Sequence, residues 1–569
     1  MKTIRYALIF LSVININSIL AQDVIEEIIV SSSYIDQNLD SINNPIHIIS
    51  GDDVSNMATQ SIGESIDNLL GVSSADYGAG VGHPVIRGMT GNRVKVMTNG
   101  RVNRDVSAIG VDHVVEVDLN NIQQIEVIRG PSSIFYSNGT TGGVINVVDN
   151  TIARTDFTEQ ALRSGGEAQS VNSGHAGEFS YQNNFGGLNF SLAYKDSDFD
   201  NFEIPFGSII HEEEEHEEEG HAPTVFMNEA TEYSAAFDIS NDSSTQKVVV
   251  NIVDEDNSIV GEEAFMNPAN SEEFTIGYFV STDFDLFYLD AGFRLDQIER
   301  TGSVTDEDHG DIDYYKVDDD TNSFALTLGR DISDSLDISV GFASVERLPS
   351  VIELFMNGPH MATGRLETGN PNLQSETSDN FDITLNFDNG NFYASASYYI
   401  NDVDNYITLQ DELDDHDDHG DDDHGDDDHG DDDHGDDHDD HAAHANLIHA
   451  NYVQEDAEFK GYEFEIGTTV SLGSGDLTFS FGRDDVTAEF SDGHNVPRIN
   501  PARNIYSLTY VENDWVFKMS LKDVDEQDEI GEGETVTESY QLLNARLTKT
   551  YDLPGSAELK VSIFGSNLQ

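Results

Sequence analysis

The sequence predicts two units of unequal size, a small N-terminal α/β unit and a large antiparallel β unit after it. Three observations carry this expectation. The run IEVIRGPSSIFYSNGTTGGVINVV at positions 125–148 reads as strand, turn, strand: Ile125, Val127 and Ile128 lead into Arg129-Gly130-Pro131, and Gly139, Gly142 and Gly143 deliver the chain into Val144-Ile145-Asn146-Val147-Val148. Glycine at those points permits positive φ and close backbone approach. Beyond position 150 the texture changes to short segments with a period of two, the pattern of strands that show unlike faces to their surroundings. At 569 residues the chain is several times a typical domain, although a large barrel can hold that length as one unit.

In chain order, residues 1–21 form a secretory leader. Lys2 and Arg5 supply its positive start, positions 6–20 its apolar stretch and Ala21 a small residue at a plausible cleavage point, so that the mature chain begins near Gln22. No later run of ~18 apolar residues recurs, which excludes a helical span but not a barrel, whose strands leave a weaker hydropathy signal. Asp23-Val24-Ile25-Glu26-Glu27-Ile28-Ile29-Val30 reads, on its residues alone, as an edge strand. A helix is expected over 61–70, where Ile62, Ile66, Leu69 and Leu70 share one face and Gly71 is the stop.

The wording of the glycine-bounded stretch is specific. IEVIRGPSS followed by GGVIN, with Val85-Ile86-Arg87-Gly88, Gly91-Asn92-Arg93-Val94 and Asn99-Gly100 upstream, closely resembles the plug of TonB-dependent outer-membrane receptors, with Asn99 where that family usually has Asp. The resemblance implies an N-terminal α/β plug domain inside a transmembrane antiparallel β-barrel: leader 1–21, TonB box and linker 22–37, plug 38–150, barrel 151–569. It also implies a periplasmic energy-transducing partner of the TonB type that grips residues 23–30, and a chain embedded in outer-membrane lipid. A plug is needed because a barrel of porin size or larger encloses a water-filled lumen.

The β region fits that expectation. Phe190, Leu192 and Tyr194 alternate with Ser191, Ala193 and Lys195, as do Phe324, Leu326 and Leu328 with Ala325 and Thr327, Ile338, Val340 and Phe342 with Ser339 and Gly341, and Tyr462, Phe464 and Ile466 with Glu463 and Glu465. A soluble sandwich or propeller shares such alternation; the leader and the resemblance favour the barrel. The family's roughly 22 strands, at ~10 residues each, use about 220 positions of 151–569 and leave little for long outer loops. The end, Val561-Ser562-Ile563-Phe564-Gly565-Ser566-Asn567-Leu568-Gln569, resembles a strand and turn with no closing strand after it. The chain is therefore expected to be C-terminally incomplete, since unpaired edges are not tolerated in lipid.

With 108 Asp+Glu against 27 Lys+Arg, the net charge of −81 argues against a nucleic-acid partner and for cations. There is no cysteine, so any metal chemistry rests on His, Asp and Glu. No nucleophile and base pairing, phosphate loop or His-Glu-x-x-His motif is present, so neither catalysis nor a catalytic cofactor is expected.

Two stretches concentrate carboxylate and imidazole. HEEEEHEEEGH at 211–221 carries His211, His216 and His221. Positions 411–449 repeat the pentad HGDDD and carry His416, His419, His424, His429, His434, His438, His441, His444 and His449. Such runs arise by replication slippage and persist as solvated, unstructured polyanions, or they act as a capture antenna for metal ions. Because nine of the chain's nineteen histidines lie in the second run, borderline ions such as Zn(II), Ni(II) and Cu(II) lead over Ca(II), for which imidazole adds nothing. Antenna binding should be weak, multiple, and lost as pH falls through ~6.5.

A tighter site is expected inside. Asp112-His113 lies in the plug, and Arg347-Leu348-Pro349-Ser350-Val351-Ile352-Glu353-Leu354-Phe355 continues through Gly358-Pro359-His360-Met361-Ala362-Thr363 to Glu367-Thr368-Gly369-Asn370-Pro371-Asn372-Leu373. Both are similar to segments of the ZnuD-type zinc-uptake receptors, and the similarity implies that Asp112, His113 and Glu353 meet around the ion, with His360 as a further candidate. His83 is a candidate for the outer plug surface, where a structural role is equally open. The expected function is import of a divalent transition metal, zinc first. Two alternatives stay open: a receptor for haem, a siderophore or cobalamin, and a surface metal-buffering barrel that transports nothing.

Overall fold

The computed structural model describes residues 15–18, 29–30, 37–38, 46–55, 61–149, 160–198, 224–412 and 447–568, with brief interruptions. Residues 23–28 and the histidines at 211–221 and 416–444 lie outside the described residues; Ile29–Val30 pairs antiparallel with Gln37–Asn38.

The plug is built on a five-stranded sheet in the order Ile46–Ser50, Ile122–Arg129, Gly143–Asp149, Val94–Thr98, Arg101–Val102. Ile122–Arg129 and Gly143–Asp149 are antiparallel, with Gly143 opposite Arg129, and the link between them holds a 3-10 turn, Gly130–Phe135. Of the three glycines in that link, Gly139 and Gly143 take positive φ, whereas Gly142 serves close approach: a Cβ there would sit 2.8 Å from the Met89 Cβ. Ile62, Ile66, Ile86, Ile125, Val127 and Ile145 pack as one buried core.

The helix spans only Ile62–Ile66, capped by the Ser61 hydroxyl on the Glu64 N–H, and ends about a turn before the predicted Leu70. The backbone after Ile66 is drawn out by guanidinium groups: Arg503 of the barrel donates to the carbonyls of Asp67 (2.9 Å) and Leu69 (2.7 Å), and Arg129 to that of Leu70. Side-chain donors take carbonyls that a longer helix would have paired internally.

Around the plug runs a mainly antiparallel sheet in which the long strands from Val225–Asn241 onward pair with their neighbours in order, Leu336–Arg347 with Glu376–Asp388 across the connection between them, and a separate three-stranded sheet holds Ala161–Ala168, His175–Asn184 and Asn189–Asp198. Period-two patterning sets the faces: Phe324, Leu326 and Leu328 are exposed on the outside while Ala325 and Thr327 are buried, and Tyr462 and Phe464 face out while Glu463 faces in. The inner wall packs on the plug through Val249, Phe279, Ala325, Ala343 and Val345 against Ile134, Phe135 and Tyr136. The last strand, Ala557–Gly565, pairs with Asn15–Ser18, where the sheet closes. No helix among the described residues is long and apolar enough to cross a membrane, so the spanning elements are strands.

Tight turns join the strands at one end of the barrel and long connections at the other, the outer end in barrels of this kind. The connection 348–375 is the one that positions the site. It carries the short helix Val351–Phe355 and a hairpin of Asn357–His360 with Arg365–Thr368, turning at Gly364 with φ 65°. Arg365–Thr368 then runs parallel to Ile448–Asn451. Phe265, Met266, Leu354, Phe355 and Leu373 bury the underside of this connection together with Ile109 of the plug.

Candidate metal centre at the plug–barrel junction

Three side chains from two units converge at the outer end. Asp112 and His113 sit in the plug segment after the 3-10 turn Val106–Ala108, and His360 ends the first strand of the outer hairpin. Their ligand atoms all lie within 4.8 Å of one another. His360 Nε2 is 3.0 Å from Asp112 Oδ1, and His113 Nε2 lies 3.9 Å from the same oxygen, beyond hydrogen-bond reach. His113 Nε2 is buried without a hydrogen-bond partner among the described residues. A buried, unsatisfied imidazole nitrogen facing a carboxylate and a second imidazole is a donor set that fits a borderline divalent cation.

Packing holds these side chains in place. The His113 ring meets Phe226 edge-on at 4.4 Å, and His360 stacks on Phe265 at 4.5 Å and 29°. Gly110 is required by crowding, because a Cβ there would lie 2.7 Å from both Asp112 Oδ1 and His360 Cε1. His83, on the plug strand His83–Ile86, donates from Nε2 to the backbone carbonyl of His113 (2.7 Å). That contact supports the loop that carries His113.

All three side chains lie outside the membrane-spanning strands, and their surroundings shift their proton affinities. Burial opposes charge on His360, yet hydrogen bonds to Asp112 and Glu367 outweigh it and push its pKa up to about 9. Burial holds His113 below the ordinary imidazole value against the pull of Asp112. Burial works to raise Asp112, but the His360 hydrogen bond brings it below the usual carboxylate range. The two imidazoles are thus pushed in opposite directions, His360 toward its protonated form and His113 toward its neutral one.

Glu353 does not join them. It is the third residue of the helix Val351–Phe355, where its carboxylate accepts from the Ser350 N–H (2.7 Å) in a capping box. Arg347 grips both of its oxygens at 2.8 and 3.1 Å. Arg347 also binds Glu376 (2.6 Å), which accepts from Arg93 of the plug at 2.8 Å through both oxygens. Glu353 is thus engaged in a junction network and does not stand with the three grouped side chains, unlike the arrangement expected for it. His449 is described but exposed, and its carbonyl accepts from the Glu412 N–H (2.7 Å).

Reading the sequence alone missed Glu367, buried against His360, as well as Gly110, Phe226 and Phe265. It also missed the ion pairs that seat the plug: Arg87 on Asp382 and Glu463 (both 2.8 Å), Arg129 on Glu463 (2.7 Å), and Arg104 on Glu255 (2.6 Å). The arginine-glycine pairs of the plug were visible as wording; their carboxylate partners hundreds of positions away carried no local signal.

Residues 38–144 match the family model of the TonB-dependent receptor plug domain, and residues 118–568 match that of the TonB-dependent receptor-like β-barrel. The chain belongs to the TonB-dependent receptors. The receptor is 21% identical over 451 residues to the vitamin B12 transporter BtuB of Photobacterium profundum, covering 67% of this chain and 70% of that protein. Its fold is shared with the copper transporter OprC, at TM-score 0.63 and 13% identity, covering 92% of this chain and 100% of that one. The unliganded ferric citrate transporter FecA gives TM-score 0.60 at 12% identity, over 92% and 97%. Such a receptor resides in the Gram-negative outer membrane, works with TonB in the periplasm, and is a transporter rather than an enzyme.

Proposed function

We propose that this receptor imports a divalent transition-metal ion, zinc first, and that Asp112, His113 and His360 hold the ion at the plug–barrel junction. The supporting observation is the convergence of three ligand atoms within 4.8 Å around an unsatisfied His113 nitrogen. Two imidazoles and one carboxylate leave a fourth position open for water, as suits an ion that must move on. Imidazole ligands also suit Cu(II) and Ni(II), so competition among the ions decides their order.

The division of ligands between two units supplies a release step. Asp112 and His113 belong to the plug and His360 to the barrel, so displacing the plug separates two ligands from the third. TonB pulling on residues 23–30 is the source of that work, because the outer membrane holds no ion gradient. The runs 211–221 and 411–449 serve as the antenna that raises local ion concentration.

Phe226 and Phe265 in direct contact with the ligand rings favour a bare ion over a bulky chelate. The cobalamin reading, which the name of the curated relative raises, gives these three side chains no need of a metal ion. Titrating Zn(II), Cu(II) and Ni(II) calorimetrically into refolded protein lacking residues 413–446 tests the reading. One tight site is expected, and changing Asp112, His113 and His360 together to Ala abolishes it. Failure of the parent protein to bind any of the three ions sinks metal import and moves cobalamin, haem, a siderophore or, if binding resides only in 413–446, a buffering barrel ahead.

A further inference from the structure

Glu367 is a carboxylate with almost no exposure, yet no Lys or Arg pairs with it among the described residues. A buried charge needs compensation. The neighbouring cation, Arg365, is committed to Asp411 at 2.7 and 2.8 Å. What Glu367 touches is His360 Nδ1, at 3.2 Å, and the Thr363 hydroxyl, whose oxygen lies 2.8 Å from the same carboxylate oxygen and 3.0 Å from the His360 carbonyl, its single proton serving one of the two at a time. The hairpin makes room for it: Glu367 lies opposite Gly358 on one side and the buried Ala450 on the other.

From this geometry we propose that Glu367 is the positioning residue of the metal centre, an inference that rests on the metal-import reading above. With Nδ1–H held by Glu367 and the ring stacked on Phe265, the one nitrogen of His360 left to an ion is Nε2, which faces Asp112. The carboxylate–imidazole–ion chain fixes the tautomer, orients the ring and makes Nε2 a stronger donor. Thr363 holds the carboxylate in register for this task. Glu367 touches no ion itself; it acts through His360.

The test compares the parent protein with Glu367→Gln, which keeps the volume and an acceptor oxygen but removes the charge, each in the full-length refolded receptor. Co(II) is the spectroscopic probe and Zn(II) displaces it. Glu367→Gln is expected to weaken Zn(II) binding by about 10- to 100-fold and to alter the visible Co(II) spectrum. A purely structural side chain would be replaced by Gln without either change, so parent-like affinity and spectrum in Glu367→Gln overturn the proposal. Should that variant fail to fold, Thr363→Val, which leaves the carboxylate but frees it to rotate, decides instead: a smaller loss of affinity with the same spectral change supports the role, and parent-like behaviour overturns it. Absence of binding in the parent would refute metal import itself, a distinguishable result.

Discussion

His360 is where charge, ligation and pH meet. Lying between Asp112 and Glu367, it keeps its proton up to about pH 9, while burial keeps His113 neutral. An ion can take Nε2 only when that proton leaves, so binding at neutral pH should release close to one proton, and affinity should climb about tenfold per pH unit from pH ~7 toward ~8.5. Calorimetry in two buffers of different ionisation enthalpy reads the released proton directly; a flat affinity over that range would contradict the ligand role of His360. The sign for folding is opposite. A raised imidazole pKa stabilises the folded state fully below the ordinary value of 6.5, and that contribution is lost as pH rises through about 9.

At the scale of elements, the helix Val351–Phe355 and the hairpin after it divide the work that the sequence reading had assigned to one segment. The helix turns Glu353 back onto its own first turn and onto Arg347, and the hairpin carries His360 to the plug. Glu353→Gln should therefore leave Zn(II) affinity within about twofold while destabilising the junction by about 3 kcal/mol or more, since it strips a buried arginine of a partner. Zn(II) titration and the urea midpoint of refolded protein separate the two effects, and a loss of affinity without loss of stability would restore Glu353 as a ligand. The capping box was legible in Ser350-Val351-Ile352-Glu353. What competed with it was the resemblance to zinc-uptake receptors, which placed the carboxylate at the ion.

For the whole molecule, charge is distributed by task. A chain of net charge −81 spends Arg87, Arg93, Arg104 and Arg129 where plug meets barrel, and each is paired there with carboxylates of the wall. The run 413–446 is the part of the remaining acid that the proposed antenna role concerns. The ends of that run are close: the Glu412 N–H donates to the His449 carbonyl at 2.7 Å, and Arg365 ties Asp411 to the hairpin that carries His360. Replacing 413–446 with a short Gly-Ser link should thus preserve the barrel. Uptake of radioactive zinc by cells carrying this variant should show a several-fold higher KM at unchanged maximal rate, an effect that shrinks as added salt shortens the ~8 Å screening length. Unchanged uptake at limiting zinc would reduce the run to a solvated by-product of its repeats.

The sequence by itself determined whatever depends on neighbours along the chain: the alternation that sends Phe324 outward and Ala325 inward, the glycine-bounded plug strands, the plug wording, and Asp112, His113 and His360 as candidates. Only the tertiary structure decided which candidates meet. Ligand geometry and charge compensation are set by groups far apart in the chain, so Arg347 could claim Glu353, His83 could be taken by a backbone carbonyl, and Glu367 could find His360 across a hairpin, none of which leaves a periodic trace in sequence.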